Sequence, residues 1–252
     1  MKKIHTLIFF IFFTGILFTR THTYYYDREW NRVMPENAAY YREISDTKNI
    51  RGYGSTDFFI NGKPKSSGYM KKFNNKSTIN GPVITYDFDG KISEKSSYIR
   101  GQKHGKEIKY YRNGSISSIT GYKNGQKHGK EIKYFENGII SYEASYKNNL
   151  LHGTEIFYKF NGDMISKIEY KYNKYDGKYV IYNGSFPILE ITYKNGVKDG
   201  EYNEYFETGI LKESAVYKRG KIENIKKEYY ESGTIRSEIN YKNGVVDGTG
   251  TY

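Results

Sequence analysis

The chain has 252 residues, with 40 lysines and arginines against 28 aspartates and glutamates, 29 tyrosines, 4 prolines and no cysteine. The absent cysteine excludes a disulfide framework, a thiolate nucleophile and a cysteine-ligated metal. A mean hydropathy of −0.80 with 37% hydrophobic residues is poor material for one large aliphatic core, so a thinner and more repetitive fold is expected.

Lys2 and Lys3 precede an apolar run over residues 7–18, relieved only by Thr14 and Gly15, and Arg20 with several threonines follows. That is the layout of an export signal. As a helix the run rises about 18 Å, well short of the roughly 30 Å hydrocarbon layer, so no stable transmembrane span is expected. Thr21 and Thr23 suit processing near residue 23. Residues 1–23 are therefore read as a signal peptide, with a retained N-terminal tether as the alternative, and the protein as exported to the periplasm, the outer-membrane surface or the medium.

Residues 24–72 hold the one tryptophan, Trp30, and lie outside any repeat. They suit an irregular cap over the first edge of a sheet, since an unprotected edge strand invites aggregation. A short helix is expected over residues 36–44.

Residues 73–252 repeat. A tyrosine opening a turn-rich heptad recurs at Tyr98, Tyr122, Tyr146, Tyr170, Tyr193, Tyr217 and Tyr241, at intervals of 24, 24, 24, 23, 24 and 24 residues. Six of the eight units, those starting near residues 73, 98, 122, 146, 170 and 193, close this segment on Gly81, Gly105, Gly129, Gly153, Gly177 and Gly200. The unit near 217 ends it on Asn224 and the unit near 241 on Gly248. A second mark stands midway, as FDG, RNG, ENG, FNG, YNG, ETG and ESG. Asn-Gly and Asp-Gly tolerate the positive φ of primed turns, so the midway marks are expected to be primed hairpin turns. The His-Gly and Asp-Gly pairs of the heptad are expected to serve the other reversal. Each unit then reads as two strands with period-two alternation and two reversals.

Stacking the units aligns Ile92, Ile116, Ile140, Met164, Leu211 and Ile235 in one column and Ser96, Thr120, Ala144, Ile168, Ala215 and Ile239 in another. Both are expected on the semi-buried face of the opening tyrosines, together with Tyr110, Tyr134, Tyr158, Tyr205 and Tyr229, leaving a lysine-rich face wet. The fold class expected is all-β: an elongated single-layer antiparallel meander of stacked hairpins. The unit after Gly177 is two residues shorter before its turn and carries Pro187, which predicts a bulge or bend.

His104, His128 and His152 recur at one place in three units, a pattern that invites a metal. Equivalent atoms would lie about 10 Å apart, too far to converge on one ion, and Asp176, Asp199, Glu223 and Asp247 continue the column, so a structural role is expected and no metal or cofactor. Glu107, Glu131 and Glu155 keep the period and sit among lysines, which favours cross-strand pairing over acid catalysis. No catalytic residue is assigned. Without residues 1–23 the charge is +9 on 229 residues, evenly spread in sequence, which suits a solvated face with weak attraction to acidic surfaces and no nucleic-acid partner.

A strand ending Tyr-Tyr or Tyr-Phe, then x-Asn-Gly, a second strand, and Tyr-Lys-Asn-Gly-x-x-His/Asp-Gly resembles the bacterial variant of the MORN repeat. The resemblance implies an array of β-hairpins with a scaffolding or binding role. The expected function is thus a non-enzymatic exported repeat protein that binds a protein partner, or a glycan or anionic envelope surface, through exposed tyrosines. Some bacterial members are labelled antitoxins of toxin–antitoxin pairs, so an antitoxin or immunity-type role is the alternative.

Overall fold

The computed structural model describes residues 7–8, 19–49, 52–59, 61–70 and 79–248. The expected signal run therefore lies, beyond Leu7 and Ile8, outside the described residues, as do the start of the first unit at 73–78 and the last four residues. The chain divides into two compact units, residues 1–126 and 127–252. Among the described residues no helix is long and apolar enough to cross a membrane.

The first unit contains β1 (Leu7–Ile8), β2 (Thr19–Tyr26), β3 (Tyr40–Asn49), β4 (Gly52–Phe59), β5 (Pro64–Met70), β6 (Gly81–Tyr86), β7 (Ile92–Ile99), β8 (Gln102–Lys103), β9 (Gly105–Tyr110) and β10 (Ile116–Lys123). Each strand pairs antiparallel with its neighbour in the chain, except that β7 takes both β8 and β9. The second unit is a meander of the same kind. Its strands are β11 (Gln126–Tyr134), β12 (Ile140–Lys147), β13 (Leu150–Tyr158), β14 (Met164–Lys171), β15 (Lys174–Asn183), β16 (Phe186–Lys194), β17 (Val197–Tyr205), β18 (Leu211–Lys218), β19 (Lys221–Tyr229), β20 (Ile235–Lys242) and β21 (Val245–Val246). They pair in strict chain order.

The helix expected over residues 36–44 does not form. One 3-10 turn, Pro35–Asn37, is followed by extended backbone at Ala38 and then by β3. Tyr40, Tyr41, Arg42 and Ile44 have partners on both sides, in β2 and β4, so sheet pairing overrides the local helical pattern. Ile44 is 1% exposed, and Arg42 forks onto Asp57 through Nε and Nη2 at 2.5 and 3.0 Å, with Ser66 Oγ donating to the same carboxylate at 2.8 Å. Trp30 stacks on Tyr40 at 5.3 Å.

The two reversals of each unit use different chemistry, and they lie the opposite way round from the sequence expectation. Primed turns sit inside the heptads: Asn124 and Gly125 have φ of 51° and 78°, and Asn148 with Asn149, Tyr172 with Asn173, Asn195 with Gly196 and Asn243 with Gly244 repeat the pair. In the midway loops Gly114, Gly138, Gly162, Gly209 and Gly233 have positive φ but the preceding residue does not. Gly114 N–H donates to Tyr111 O at 2.9 Å and Tyr111 N–H to Ser115 O at 2.8 Å, which is a type I turn closed by a glycine bulge. The short unit differs again. Its Asn183 pairs with Phe186 across a two-residue loop led by Gly184, and the expected irregularity appears as a register shift at Tyr182, opposite Pro187.

The heptad-closing glycines are not turn residues. Gly129, Gly153, Gly177 and Gly200 lie within strands, at φ from 87° to 133°. In β12–β13 the register passes from Ala144 opposite Glu155 to Tyr146 opposite Leu151, so three residues including Gly153 face Ser145. The same bulge sets Gly177 against Glu169 and Gly200 against Thr192. A second register shift beside each midway loop pairs Tyr110 with Ile116, Tyr134 with Ile140, Tyr158 with Met164, Tyr205 with Leu211 and Tyr229 with Ile235. Directly opposed residues share a face. The isoleucine column therefore lies with the Tyr110 column on one face, while the opening tyrosines lie with the Thr120 and Ala144 column on the other, which corrects the single-face expectation.

Candidate functional site

On the face of the opening tyrosines, the middle row is the most buried. In the first unit it runs through Val83, Ser96, Glu107 and Thr120, and in the second through Glu131, Ala144, Glu155, Ile168, Tyr179, Ile191, Tyr202, Ala215, Lys226 and Ile239. Small residues at Ser96, Thr120, Ala144 and Ala215 leave room for long neighbours. Glu107, Glu131 and Glu155 are buried here rather than on a wet face. Lys103 pairs with Glu107, and Lys127 Nζ reaches Glu131 at 2.7 Å. These lysines precede their glutamate in the same chain segment across the bulge, so the pairing is local rather than cross-strand. Glu155 accepts the Tyr142 hydroxyl at 2.8 Å. Burial first, then hydrogen bonding to Tyr146 and Glu155, holds the Tyr142 phenol well above the ordinary tyrosine range. Tyr170 is raised in the same way, by burial and then by Glu155.

Beside this row stands the row of opening tyrosines. Tyr122 lies opposite Gly105, Tyr146 opposite Gly129, Tyr170 opposite Gly153, Tyr193 opposite Gly177 and Tyr217 opposite Gly200, so each ring has open backbone across from it. Tyr98 faces Gly81 and Tyr241 faces Asn224, while Gly248 follows β21 with φ of 97°. Between the tyrosines comes a variable residue of the next strand: Lys103 beside Tyr98, Leu151 beside Tyr146, Tyr175 beside Tyr170, Lys198 beside Tyr193 and Ile222 beside Tyr217. Tyr175 lies 5.1 Å from both Tyr170 and Tyr193, ring centre to ring centre. Lys198 Nζ stands over Tyr202 and Tyr217 at 4.9 and 4.8 Å. The opening tyrosines are all half-buried, each presenting part of its ring to solvent.

The histidine column meets different surroundings along its length: His152 packs on Tyr172 with ring centres 4.6 Å apart, and among the described residues the Nδ1 atoms of His104 and His152 are buried without a hydrogen-bond partner. His128 Nδ1 lies 3.3 Å from Asn148 Oδ1 in the following primed turn. At the equivalent place Asp176 accepts the Asn195 N–H at 3.2 Å and Glu223 the Asn243 N–H at 2.8 Å. At His128, Asp176 and Glu223 the column ties a bulge to the next turn, and among the described residues no group of three or more His, Asp or Glu is placed to hold a metal. What the sequence columns missed is segregation at the edges. In the second unit the primed turns carry exposed lysines, whereas the midway loops carry Glu136, Asp163, Glu207 and Glu231 against the single Lys159, with Phe160 and Phe186, which are 62% and 66% exposed. Counting charge by turn type rather than along the chain reveals this.

A family profile described as the MORN repeat variant matches residues 79–100, 103–124, 127–148, 151–172, 198–219 and 222–243. The chain belongs to the MORN repeat variant family. The matches pass over residues 173–197, where the short unit replaces the midway glycine-bulge loop by a two-residue turn. MORN repeats are commonly interaction modules for proteins or membranes, in keeping with a repeat scaffold. No curated protein matches the chain. Among solved structures, the Tc holotoxin pore of Photorhabdus luminescens is similar over 88% of this chain and 13% of its own, at 12% identity and a TM-score of 0.24.

Proposed function

We propose that this MORN-repeat chain is a non-enzymatic, exported scaffold whose tyrosine row engages another protein in the cell envelope. The observation that carries the reading is the row itself. Tyrosines recur along one face, half-exposed, with their rings packed on each other or capped by lysine, so contact area is offered at little cost in side-chain entropy. The apolar run at residues 7–18 behind Lys2 and Lys3 supports export.

Fractionation with N-terminal sequencing of the mature chain tests the compartment, and the expected product begins near residue 24 in an envelope fraction. Affinity capture from envelope extract tests the surface: a partner retained by the native chain is expected to be lost by Tyr193→Ala/Tyr217→Ala with the fold intact by circular dichroism. Full-length chain in the cytoplasm would replace this reading by an immunity-type one, and capture indifferent to both substitutions would remove the tyrosine row from it.

A further inference from the structure

In the second unit each full-length strand leading into a primed turn ends on a lysine: Lys147, Lys171, Lys194, Lys218 and Lys242. All five are exposed, and among the described residues none is in an ion pair; Lys147 Nζ lies 3.3 Å from the Tyr172 hydroxyl. Lys174, Arg219 and Lys221 add charge in the same turns. Of the four acids in the column beside this edge, Asp176 and Glu223 accept backbone N–H groups of the following turns, and with Asp199 and Asp247 they are outnumbered by the eight lysines and arginines named, none of which they pair with among the described residues.

With strands about 4.8 Å apart, the lysines follow one another in single file about every 10 Å. That spacing exceeds the roughly 8 Å screening length at physiological salt, so neighbouring lysines act almost separately and strength comes from occupying several at once. The residue closing each turn alternates, as Leu150, Lys174, Val197, Lys221 and Val245, so the aliphatic tips never join into a strip able to enter a bilayer. Duplex nucleic acid, with a charge about every 1.7 Å, would leave most of its phosphates unmatched.

We propose that this edge binds a linear acidic polysaccharide carrying one anionic group per disaccharide, whose extended repeat is close to the spacing of the lysines. The surface is separate from the tyrosine row, and the inference stands or falls apart from the protein-binding reading.

The probe is hyaluronate, one carboxylate per disaccharide, titrated into the full chain by calorimetry, with dextran as the neutral control and phosphatidylglycerol vesicles as the membrane control. Binding is expected at low salt, to weaken steeply as salt is added, and to rise from tetrasaccharide to decasaccharide as more lysines are reached. Lys171→Glu/Lys194→Glu/Lys218→Glu is expected to lose about tenfold or more in affinity with an unchanged melting temperature. Should that variant be destabilised, Lys171→Gln/Lys194→Gln/Lys218→Gln is expected to show a smaller loss of the same sign. Equal binding of dextran, no dependence on chain length, undiminished binding by both variants, or binding to vesicles but not to hyaluronate would overturn the proposal.

Discussion

Along the middle row the ion changes sign, from buried glutamate to half-buried lysine, while the pairing persists. Glu107 and Glu131 take Lys103 and Lys127, whereas Lys226 is held between Glu213 and Glu228 at 3.1 and 3.0 Å. Glu155 has hydroxyl partners instead, so Glu155→Ala is expected to leave the Tyr142 hydroxyl only the longer 3.3 Å contact with the Tyr146 hydroxyl and to cost about 1–3 kcal/mol in thermal or urea unfolding. Glu155→Gln, which keeps an acceptor, is expected to cost less. The tyrosines predict the alkaline limit of stability. Burial first, then Glu143 for Tyr158 and Glu190 for Tyr205, pushes both phenols up to about 12. A value raised on folding leaves stability intact below the unfolded value near 10 and erodes it as pH rises through the folded one. Unfolding midpoints are expected to be flat up to pH 9 and to fall between pH 10 and 12; a fall already complete by pH 10 would contradict this. The recurrence of the glutamates was legible in sequence, but their burial was not, because the bulge decides which face they meet.

At the scale of the element, glycine has three separate tasks: the second residue of a primed turn, the close of a type I loop, and the centre of a bulge. In sequence all three read as turn punctuation, because each places a polar residue before glycine. Only hydrogen-bond register tells them apart. At Gly200 an added Cβ would also lie 2.8 and 2.9 Å from Thr192 Cβ and Cγ2, whereas at Gly129 it meets nothing within 4 Å. Both have positive φ, so Gly129→Ala is expected to cost about 1–2 kcal/mol from backbone strain alone. Gly200→Ala is expected to cost more, with part of the excess recovered by Thr192→Ala in the double variant. Equal costs, or no coupling in the cycle, would remove the close approach as the cause.

Within each described meander strands pair with their neighbours in the chain, apart from β7 with β9, and the primed turns bond back no further than the preceding repeat, so stability is a sum of repeat and nearest-neighbour terms. Deleting residues 149–172, a whole number of strands that rejoins equivalent positions, is expected to leave the β-type circular dichroism spectrum and lower the melting temperature by several degrees. Deleting half that length reverses the direction of every later strand against its neighbour and is expected to yield aggregated product. The period, the all-β class and the repeat family were written in the sequence, because glycine and tyrosine recur about every 24 residues and short-range turn chemistry needs only adjacent residues. Which reversal is primed, which column shares a face with the opening tyrosines, and why lysines gather at one edge of the second unit were decided by the tertiary structure. Each depends on a bulge that shifts register by one or two residues, and a shift of one residue carries a side chain to the other face of the sheet.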